Sequence, residues 1–343
     1  MLVLGIESSC DDTGAAVVRD GTEMLSSVVA SQDDIHGKYG GVVPELASRR
    51  HIEDIVPVVD EALERANVTM DDIDAVAVTQ GPGLVGSILI GLSFAKAVSY
   101  AKEKPLVGVN HLEAHALSVF LKEKGEEKEV PEFPFVALVV SGGHTVLFLI
   151  EDFTRYKILG QTRDDAAGEA FDKVGKLLGL GYPGGVEIDR LAVEGGGGDV
   201  KAYPFTRPYI KKGNLEFSFS GIKTAVLAEV KKAGEGGLTE SAVKDLAASF
   251  QEAVVDVLVR KVFWAVEATG AGSVALAGGV ACNSRLRARL KEAAGEEGIK
   301  LFIPPHRLCS DNGAMIAALG YHLLKKGEYA GLDTNALPNW DEF

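Results

Sequence analysis

Two stretches of the chain repeat one pattern of hydrophobic and polar positions. In the first, Val3 to Val18, apolar runs flank the polar residues 7–14. In the second, Phe135 to Ile150, apolar runs flank the turn Ser141-Gly142-Gly143-His144-Thr145. Each pattern predicts a strand, a short turn and a second strand. Because the two copies lie about 130 residues apart, they predict duplicated lobes that face each other across a cleft.

The rest of the chain alternates predicted helices and strands, which is typical of a layered α/β fold. Helices are predicted over 52–66, 86–101, 242–268, 283–294 and 311–325, and short strands over 75–79 and 273–277. The charged run 122–132 is interpreted as a surface linker. We therefore expect an N-terminal lobe over 1–130 and a C-terminal lobe over 131–310, with a final helix, 311–330, that crosses back and braces the first lobe.

Composition narrows the class of protein. With 343 residues, 46% hydrophobic and 24% charged, the chain is expected to be folded, with room for two domains. Cys10, Cys282 and Cys309 lie far apart and form no Cys-x-x-Cys motif. This spacing disfavours a disulfide framework or a zinc ribbon and suits a reducing cytosol.

Charge and hydropathy bear on localisation and partners. The chain shows neither a basic leader nor a run of about 18 apolar residues, so we expect a cytoplasmic protein with no membrane segment. The net charge of −14 has the wrong sign for a nucleic-acid binder. Any nucleic acid would need a local basic face or a partner protein.

The segment Asn110-His111-Leu112-Glu113-Ala114-His115 follows an apolar run and carries two histidines. On a helix, His111 and His115 lie one turn apart on one face, where both rings can reach one metal ion. Glu113 stands at the wrong offset for the His-Glu-x-x-His metalloprotease helix, which disfavours peptide hydrolysis by that scheme. A solvated helix with two histidines by chance is the alternative, and this segment alone leaves it open.

Two glycine-rich turns stand in corresponding parts of the repeat. Ser141-Gly142-Gly143 lies between two predicted strands, and is neither a Walker loop nor a Rossmann fingerprint. Gly278-Gly279-Val280 follows a strand and opens a helix, where a helix N-terminus can receive phosphates. Each turn alone is weak evidence, but together they favour a nucleotide held between the lobes.

Several acidic residues in turns are candidates for chemistry. They are Asp11, Asp12, Asp172, Asp189 and Asp311. Helix capping is the usual role of a single aspartate at such a place, and it remains an alternative for Asp311. If Asp311 is instead a third ligand, it completes a His-His-Asp set that leaves positions open for substrate oxygens.

Ten ordered motifs along the whole chain carry a family resemblance. They are Leu4-Gly-Ile-Glu-Ser-Ser-Cys-Asp-Asp-Thr13, Gly40-Gly-Val-Val-Pro-Glu-Leu-Ala-Ser-Arg49, Gly81-Pro-Gly-Leu84, Asn110-His-Leu-Glu-Ala-His115, Val140-Ser-Gly-Gly-His-Thr145, Gly168-Glu-Ala-Phe-Asp-Lys173, Tyr182-Pro-Gly-Gly185, Phe217-Ser-Phe-Ser-Gly-Ile-Lys223, Gly278-Gly-Val-Ala-Cys-Asn283 and Cys309-Ser-Asp-Asn312. With these motifs the chain resembles the bacterial tRNA N6-adenosine threonylcarbamoyltransferases, once labelled O-sialoglycoprotein endopeptidases.

The resemblance implies a fold and a reaction. The fold is two-lobed and actin-like, as in sugar kinases and Hsp70, with a nucleotide cleft between the lobes. The reaction moves the threonylcarbamoyl group from threonylcarbamoyl-AMP to N6 of the adenosine just 3′ of the anticodon, in tRNAs that read codons beginning with A. AMP is the leaving group.

The resemblance also implies site residues. His111, His115 and Asp311 match the ligands of one divalent metal ion, with Fe²⁺ preferred over Zn²⁺. The substrate-binding positions for threonylcarbamoyl-AMP or an adenine nucleotide match Val139, Val140, Ser141, Gly142, Gly143, Asp172, Gly185, Asp189 and Asn283. Asp11 is a candidate proton acceptor. No covalent enzyme intermediate is expected, because the adenylate is already activated.

Partners are implied as well. Besides tRNA, they are a smaller inactive paralogue (TsaB-like), a P-loop ATPase (TsaE-like) and an upstream threonylcarbamoyl-AMP synthase. Such partners would help an acidic chain to position tRNA. Candidate basic contacts on the chain itself are Arg49, Arg50, Lys211, Lys212 and Lys223.

Two alternative functions come from other classes. A small-molecule kinase of the sugar or acetate type would share the lobes and the glycine turns, but would not need His111, His115 and Asp311 together. An ATP-binding scaffold would keep nucleotide affinity without the metal ligands. Metal dependence and tRNA acceptor activity separate both from the transferase.

Overall fold

A computed structural model gives the structure of residues 1–193, 197–209, 211 and 213–340. Within these ranges, none of the helices combines the length and apolar character needed to span a bilayer.

Eleven strands in the described ranges form two mixed sheets. They are β1 (Leu2–Glu7), β2 (Asp12–Arg19), β3 (Glu23–Ser31), β4 (Ala75–Gly81), β5 (Leu106–Asn110), β6 (Lys122–Glu123), β7 (Phe135–Val140), β8 (Thr145–Asp152), β9 (Arg155–Gln161), β10 (Ser273–Ala277) and β11 (Lys300–Phe302). The first sheet has the order β5-β4-β1-β2-β3-β6, and the second has the order β11-β10-β7-β8-β9. In both, an antiparallel hairpin adjoins parallel strands, so the two sheets repeat one plan.

Eleven α-helices in the part of the chain that the structure describes connect and cover the sheets. They are α1 (Asp33–His36), α2 (Pro44–Ala66), α3 (Val85–Lys102), α4 (His111–Leu117), α5 (Ala167–Leu177), α6 (Gly184–Val193), α7 (Ser220–Lys232), α8 (Glu240–Thr269), α9 (Ser284–Glu297), α10 (His306–Cys309) and α11 (Gly313–Lys326). Central strands such as β7 are buried along their whole length, which is why their sequences are continuous apolar runs rather than alternating ones.

The last helix, α11, lies on the first sheet, although the second sheet precedes it in the chain. Its first residue, Gly313, meets the backbone of β1 and β2: a Cβ on Gly313 would lie 2.6 Å from Gly5 O and 2.7 Å from Ala15 Cα. Only glycine permits so close an approach, since any side chain would displace the helix. The residues just before α11 are therefore held above the carboxyl end of the first sheet.

Both strand-turn-strand predictions are confirmed, as β1–β2 and β7–β8. Two helix starts differ from expectation. Helix α2 begins at Pro44, earlier than the predicted residue 52, because proline suits the first helical position and the polar first turns carry no apolar signal. Helix α11 begins at Gly313 rather than at residue 311, because Asn312 caps it by accepting a hydrogen bond from Met315 N at 3.0 Å. Asp311 therefore lies outside the helix.

Gly313→Ala is expected to lower the free energy of unfolding by about 2 kcal/mol, because the added methyl group meets backbone atoms that cannot rotate away. Chemical denaturation measures this change. Gly295→Ala in α9 is the matched control, since a Cβ there meets no atom within 4 Å, and it should gain about 0.5 to 1 kcal/mol through helix propensity. Equal responses of the two variants would contradict the close packing of α11.

Candidate metal centre and substrate cleft

The histidine pair is set by the start of α4. Asn110 ends β5 and caps the helix, because its Oδ1 accepts hydrogen bonds from Leu112 N at 2.9 Å and Glu113 N at 3.3 Å. The helix begins at His111, so His111 and His115 lie one turn apart on one face. Their ring centroids are 4.6 Å apart and the rings are perpendicular. Both side chains are buried, which argues against a solvated helix.

Asp311 faces both imidazoles from the loop between α10 and α11. Its Oδ1 lies 3.0 Å from His115 Nε2 and 3.5 Å from His111 Nε2. One ligand atom from each of the three residues lies within 4.8 Å of the others. Donors on a tetrahedral ion with bonds of about 2.1 Å stand roughly 3.4 Å apart. The largely buried His-His-Asp set therefore offers three donors that could hold a divalent ion.

Glu7 orients His111 from the opposite side. This wholly buried carboxylate lies 2.9 Å from His111 Nδ1 and accepts hydrogen bonds from Thr79 Oγ1 and Ser9 N, both at 2.5 Å. A carboxylate on Nδ1 fixes the ring so that Nε2 is presented to an ion. Glu7 was not among the site residues predicted from the sequence. The sequence feature that could have identified Glu7 is a carboxylate at the end of an otherwise apolar strand.

Neighbouring charged groups, acting against burial, set the pKa values of His111 and Asp311. Burial lowers the pKa of His111, but the Glu7 and Asp311 carboxylates outweigh burial and raise it to about 9. Burial also opposes ionisation of Asp311, yet the two imidazoles hold the pKa of that carboxyl well below its usual range. His111 therefore carries a proton at neutral pH, which it would have to lose in order to serve as a metal ligand.

His144 is a second residue that sequence analysis left out of the site. It ends the glycine turn after β7 and interacts electrostatically with His111, His115 and Asp311. Burial, followed by the charge of His111, lowers the pKa of His144 to about 4. His144 is therefore a neutral imidazole at the point where the glycine turn meets the candidate metal centre.

The turn between β1 and β2 places Asp11 and Asp12 within electrostatic reach of Asp311. His51 of α2 supports this turn: its Nε2 lies 3.0 Å from Cys10 O and its Nδ1 2.7 Å from Thr13 Oγ1. Burial raises the pKa of Asp11, and the charge of Asp311 raises it further. Burial, then Asp311 and Asp11, raise the pKa of Asp12 to about 8. Asp11 is thus a more basic carboxylate than an exposed aspartate.

The two glycine turns meet at one edge of the second sheet, because β7 and β10 are parallel neighbours. Gly278 has φ +89°, and a Cβ there would lie 2.9 Å from Val140 N. Val139 and Val140 are buried ends of β7, whereas Gly142 and Gly143 are exposed and have open space around them. Ser141 closes the turn by donating its N–H to His144 O at 2.8 Å. Backbone amides at Gly142 and Gly143 are accessible to a phosphate.

Three other residues predicted to bind substrate, Asp172, Asp189 and Asn283, form hydrogen bonds that connect the segments around these turns. Asp172 Oδ1 accepts hydrogen bonds from Gly184 N at 2.9 Å and Gly185 N at 3.4 Å. Asp189 accepts two from Ser284, at its N and Oγ. Asn283 caps α9 through Leu286 N at 2.9 Å and donates to Gln251 at 2.7 Å. Each carboxylate and amide retains hydrogen-bonding capacity for a ligand.

The remaining candidate residues from the sequence form hydrogen bonds or ion pairs with other groups, or lie outside the described ranges. Glu113 accepts a hydrogen bond from Tyr156 Oη at 2.7 Å and is outside the His-His-Asp set, so the metalloprotease geometry is absent from this helix. Arg50 pairs with Glu53 and Asp54, and Lys223 pairs with Asp165. Lys212 lies outside the residues whose structure is described.

Comparisons with known proteins agree with the fold and the motifs. The family model of TsaD, described as tRNA N6-adenosine threonylcarbamoyltransferase, matches residues 23–318. A relative of that name from Syntrophus aciditrophicus (strain SB) is 55% identical over 340 residues, which are 99% of this chain and 97% of the relative.

Solved structures with little sequence identity share the fold. The (R)-2-hydroxyglutaryl-CoA dehydratase component A of Acidaminococcus fermentans has a TM-score of 0.54 at 16% identity, covering 94% of this chain and 98% of that one. HypF of T. kodakarensis has a TM-score of 0.60 at 14% identity, covering 95% of this chain and 48% of that one. The expected actin-like α/β fold is confirmed, and, on the family model and the Syntrophus relative, the chain belongs to the TsaD family of tRNA N6-adenosine threonylcarbamoyltransferases.

Proposed function

We propose that this tRNA-modifying transferase moves the threonylcarbamoyl group from threonylcarbamoyl-AMP to N6 of the adenosine 3′ to the anticodon, in tRNAs that read ANN codons, and releases AMP. The observation that carries the proposal is the largely buried set of His111, His115 and Asp311 beside two glycine turns. A small-molecule kinase or an ATP-binding scaffold would use the turns but has no need of this set, so neither alternative is favoured.

The donor is a mixed anhydride, so its carbonyl carbon is already activated for attack by the tRNA amine. The protein needs mainly to orient the two substrates and to stabilise the oxyanion. We assign the phosphate to the exposed amides of Gly142 and Gly143. Asp172, Gly185, Asp189 and Asn283 line the same edge and would hold the nucleoside part. No side chain needs to act as a nucleophile.

The metal site is proposed from the donor set. His111, His115 and Asp311 would hold one divalent ion, Fe²⁺ in preference to Zn²⁺, and such an ion supplies a Lewis acid for a donor oxygen. Glu7 keeps the His111 ring in place through Nδ1. His144 remains neutral beside the centre and adds no positive charge to repel the ion.

Asp11 is the proposed proton acceptor for the attacking amine. The amine must lose a proton as the new C–N bond forms, and a carboxylate whose pKa is raised by burial accepts that proton more readily than an exposed one. His51 keeps the turn that carries Asp11 in place.

Partners follow from the same proposal. We propose tRNA as acceptor, an upstream threonylcarbamoyl-AMP synthase, a P-loop ATPase and a smaller inactive paralogue, all in the cytoplasm, with the lobe boundary after residue 130. Two exposed apolar pairs are available to the paralogue: Ile52 and Val56 on α2, and Val85 and Leu89 on α3. Each pair has i,i+4 spacing and shares one helix face, and α2 packs against α3.

His115→Ala is expected to lower metal affinity more than about 100-fold, because it removes a direct ligand, whereas loss of an outer partner costs 10- to 100-fold. Inductively coupled plasma mass spectrometry after gel filtration measures the bound metal. His306→Ala, at an exposed histidine, is the control and should keep one ion per chain. Full metal content in His115→Ala would refute the assignment.

Asp11→Asn is expected to lower kcat for transfer by about 10² to 10⁴, the usual contribution of a general base. Metal content should be unchanged, which separates this effect from damage to the metal centre. Asp12→Asn is the neighbouring control, since the Asp12 carboxyl is hydrogen-bonded to Ser31. Single-turnover formation of threonylcarbamoyladenosine is the readout, and a wild-type rate in Asp11→Asn would remove Asp11 from this role.

The double variant Ile52→Arg, Val56→Arg should prevent association with the paralogue, because two charges would enter an apolar contact. Size-exclusion chromatography of the mixed proteins detects this, and metal content should stay at the wild-type level. Tyr329→Arg alters another exposed apolar position outside both helices and should leave the complex intact. A complex that survives the double variant would place the interface elsewhere.

A further inference from the structure

Two cysteines that the proposed mechanism does not use lie on two elements that contact each other. Cys282 ends the 3₁₀ turn Gly279–Cys282, and Cys309 ends α10, which packs against that turn. Cys282 Sγ donates a hydrogen bond to His306 O in α10 at 3.8 Å, its thiol interacts electrostatically with that of Cys309, and both cysteines are free. They are 27 positions apart in sequence, so the fold alone brings them together.

In a pair that forms a disulfide, one reactive cysteine is oxidised first and a second, resolving cysteine then attacks it. The two thiols differ in exposure and in pKa as these two roles require. Cys282 is partly exposed, whereas Cys309 is fully buried. The interaction with the Cys309 thiol lowers the pKa of Cys282 to about 7, and the positive charge of Arg287 also lowers it. A thiolate at neutral pH is the form that reacts with peroxides.

Arg287 holds both segments against each other. Its guanidinium lies 3.3 Å from Cys309 Sγ and donates to Ala281 O at 2.5 Å and to Pro304 O at 3.4 Å. One cation thus joins the residue before Cys282 to the segment that leads to Cys309. Arg287 thereby keeps the two cysteine-bearing segments next to each other, and its positive charge stabilises negative charge on sulfur.

The pair stands between two functional segments. Asn283 directly follows Cys282 and caps α9, and Asp311 follows Cys309 by two residues. A disulfide requires an S–S distance of about 2.05 Å, which is shorter than any hydrogen bond between two thiols. Closing the bond would therefore pull the segments that carry Asn283 and Asp311 towards each other.

We propose that Cys282 and Cys309 form a peroxide-sensitive modification site, which closes to an intramolecular disulfide and thereby lowers transfer activity reversibly. In the first step the Cys282 thiolate attacks a hydroperoxide: an S–O bond forms, the O–O bond breaks, sulfur is oxidised to sulfenic acid, and hydroxide or alkoxide leaves. The Cys309 thiol then attacks that sulfur and water leaves. A dithiol reverses the reaction by exchange and is itself oxidised to a disulfide.

Cys10 serves as a control within the same chain for which thiols peroxide oxidises first. Burial, and then the charges of Asp11 and Asp311, raise the pKa of Cys10, so its thiol stays protonated. Peroxide should therefore oxidise the Cys282–Cys309 pair well before Cys10. The formation of the disulfide does not depend on the proposed function, whereas its effect on transfer does.

The test treats Zn²⁺-loaded protein, in which the metal is redox-inert, with hydrogen peroxide, blocks remaining thiols and maps peptides by mass spectrometry without reduction. We expect a linked pair of peptides containing Cys282 and Cys309, with Cys10 alkylated, and loss of the link with dithiothreitol. Stable sulfinic acid on Cys282 without a link, or equal oxidation of Cys10, would overturn the proposal.

Activity is then compared before and after oxidation. Transfer by reduced wild-type protein is measured first, so a failure of the proposed function is recognised separately. We expect oxidised wild type to lose at least about tenfold in rate, about 1.4 kcal/mol, and to recover with dithiothreitol, while Cys282→Ser and Cys309→Ala keep their rates. Retention of full activity by protein that carries the disulfide would overturn the regulatory effect.

Discussion

The site depends on the close approach of α11 to the first sheet. Gly313 lies against the backbone of Gly5 and Ala15 at distances that admit no side chain. This contact places Asp311 over the start of α4, 200 positions after His111 in the sequence. The chain completes the second sheet and then returns to the first, so the loop just before the last helix brings Asp311 to the two histidines.

Much of the fold was predictable from local pattern. The two strand-turn-strand units and the long helix α8 follow from apolar runs and periodicity, and the turn positions follow from glycine. The starts of α2 and α11 were misplaced, because a proline at the first helical position and an asparagine cap carry no apolar signal. The helix α6 was not predicted, since its sequence is short and begins with two glycines.

The site was predictable only in part. His111 and His115 are found by spacing, because both lie on one helix. Glu7 and His144 were missed, since their roles come from contacts across 104 residues and from proximity to the centre. Asn283 and Asp189 were expected to face a nucleotide, and both also hold the loops that form the edge. A single sequence does not reveal that a residue expected to bind a ligand also caps a helix.

The most direct measurement incubates this protein and its partners with unmodified tRNA and threonylcarbamoyl-AMP, and analyses the nucleosides by mass spectrometry. We expect threonylcarbamoyladenosine and an equal amount of AMP with wild-type protein, no product with His111→Ala or after chelation, and recovery when the metal is restored to wild type. Product formation at the wild-type rate by His111→Ala, with partners shown to be active, would contradict the central claim that transfer depends on the His111, His115 and Asp311 centre.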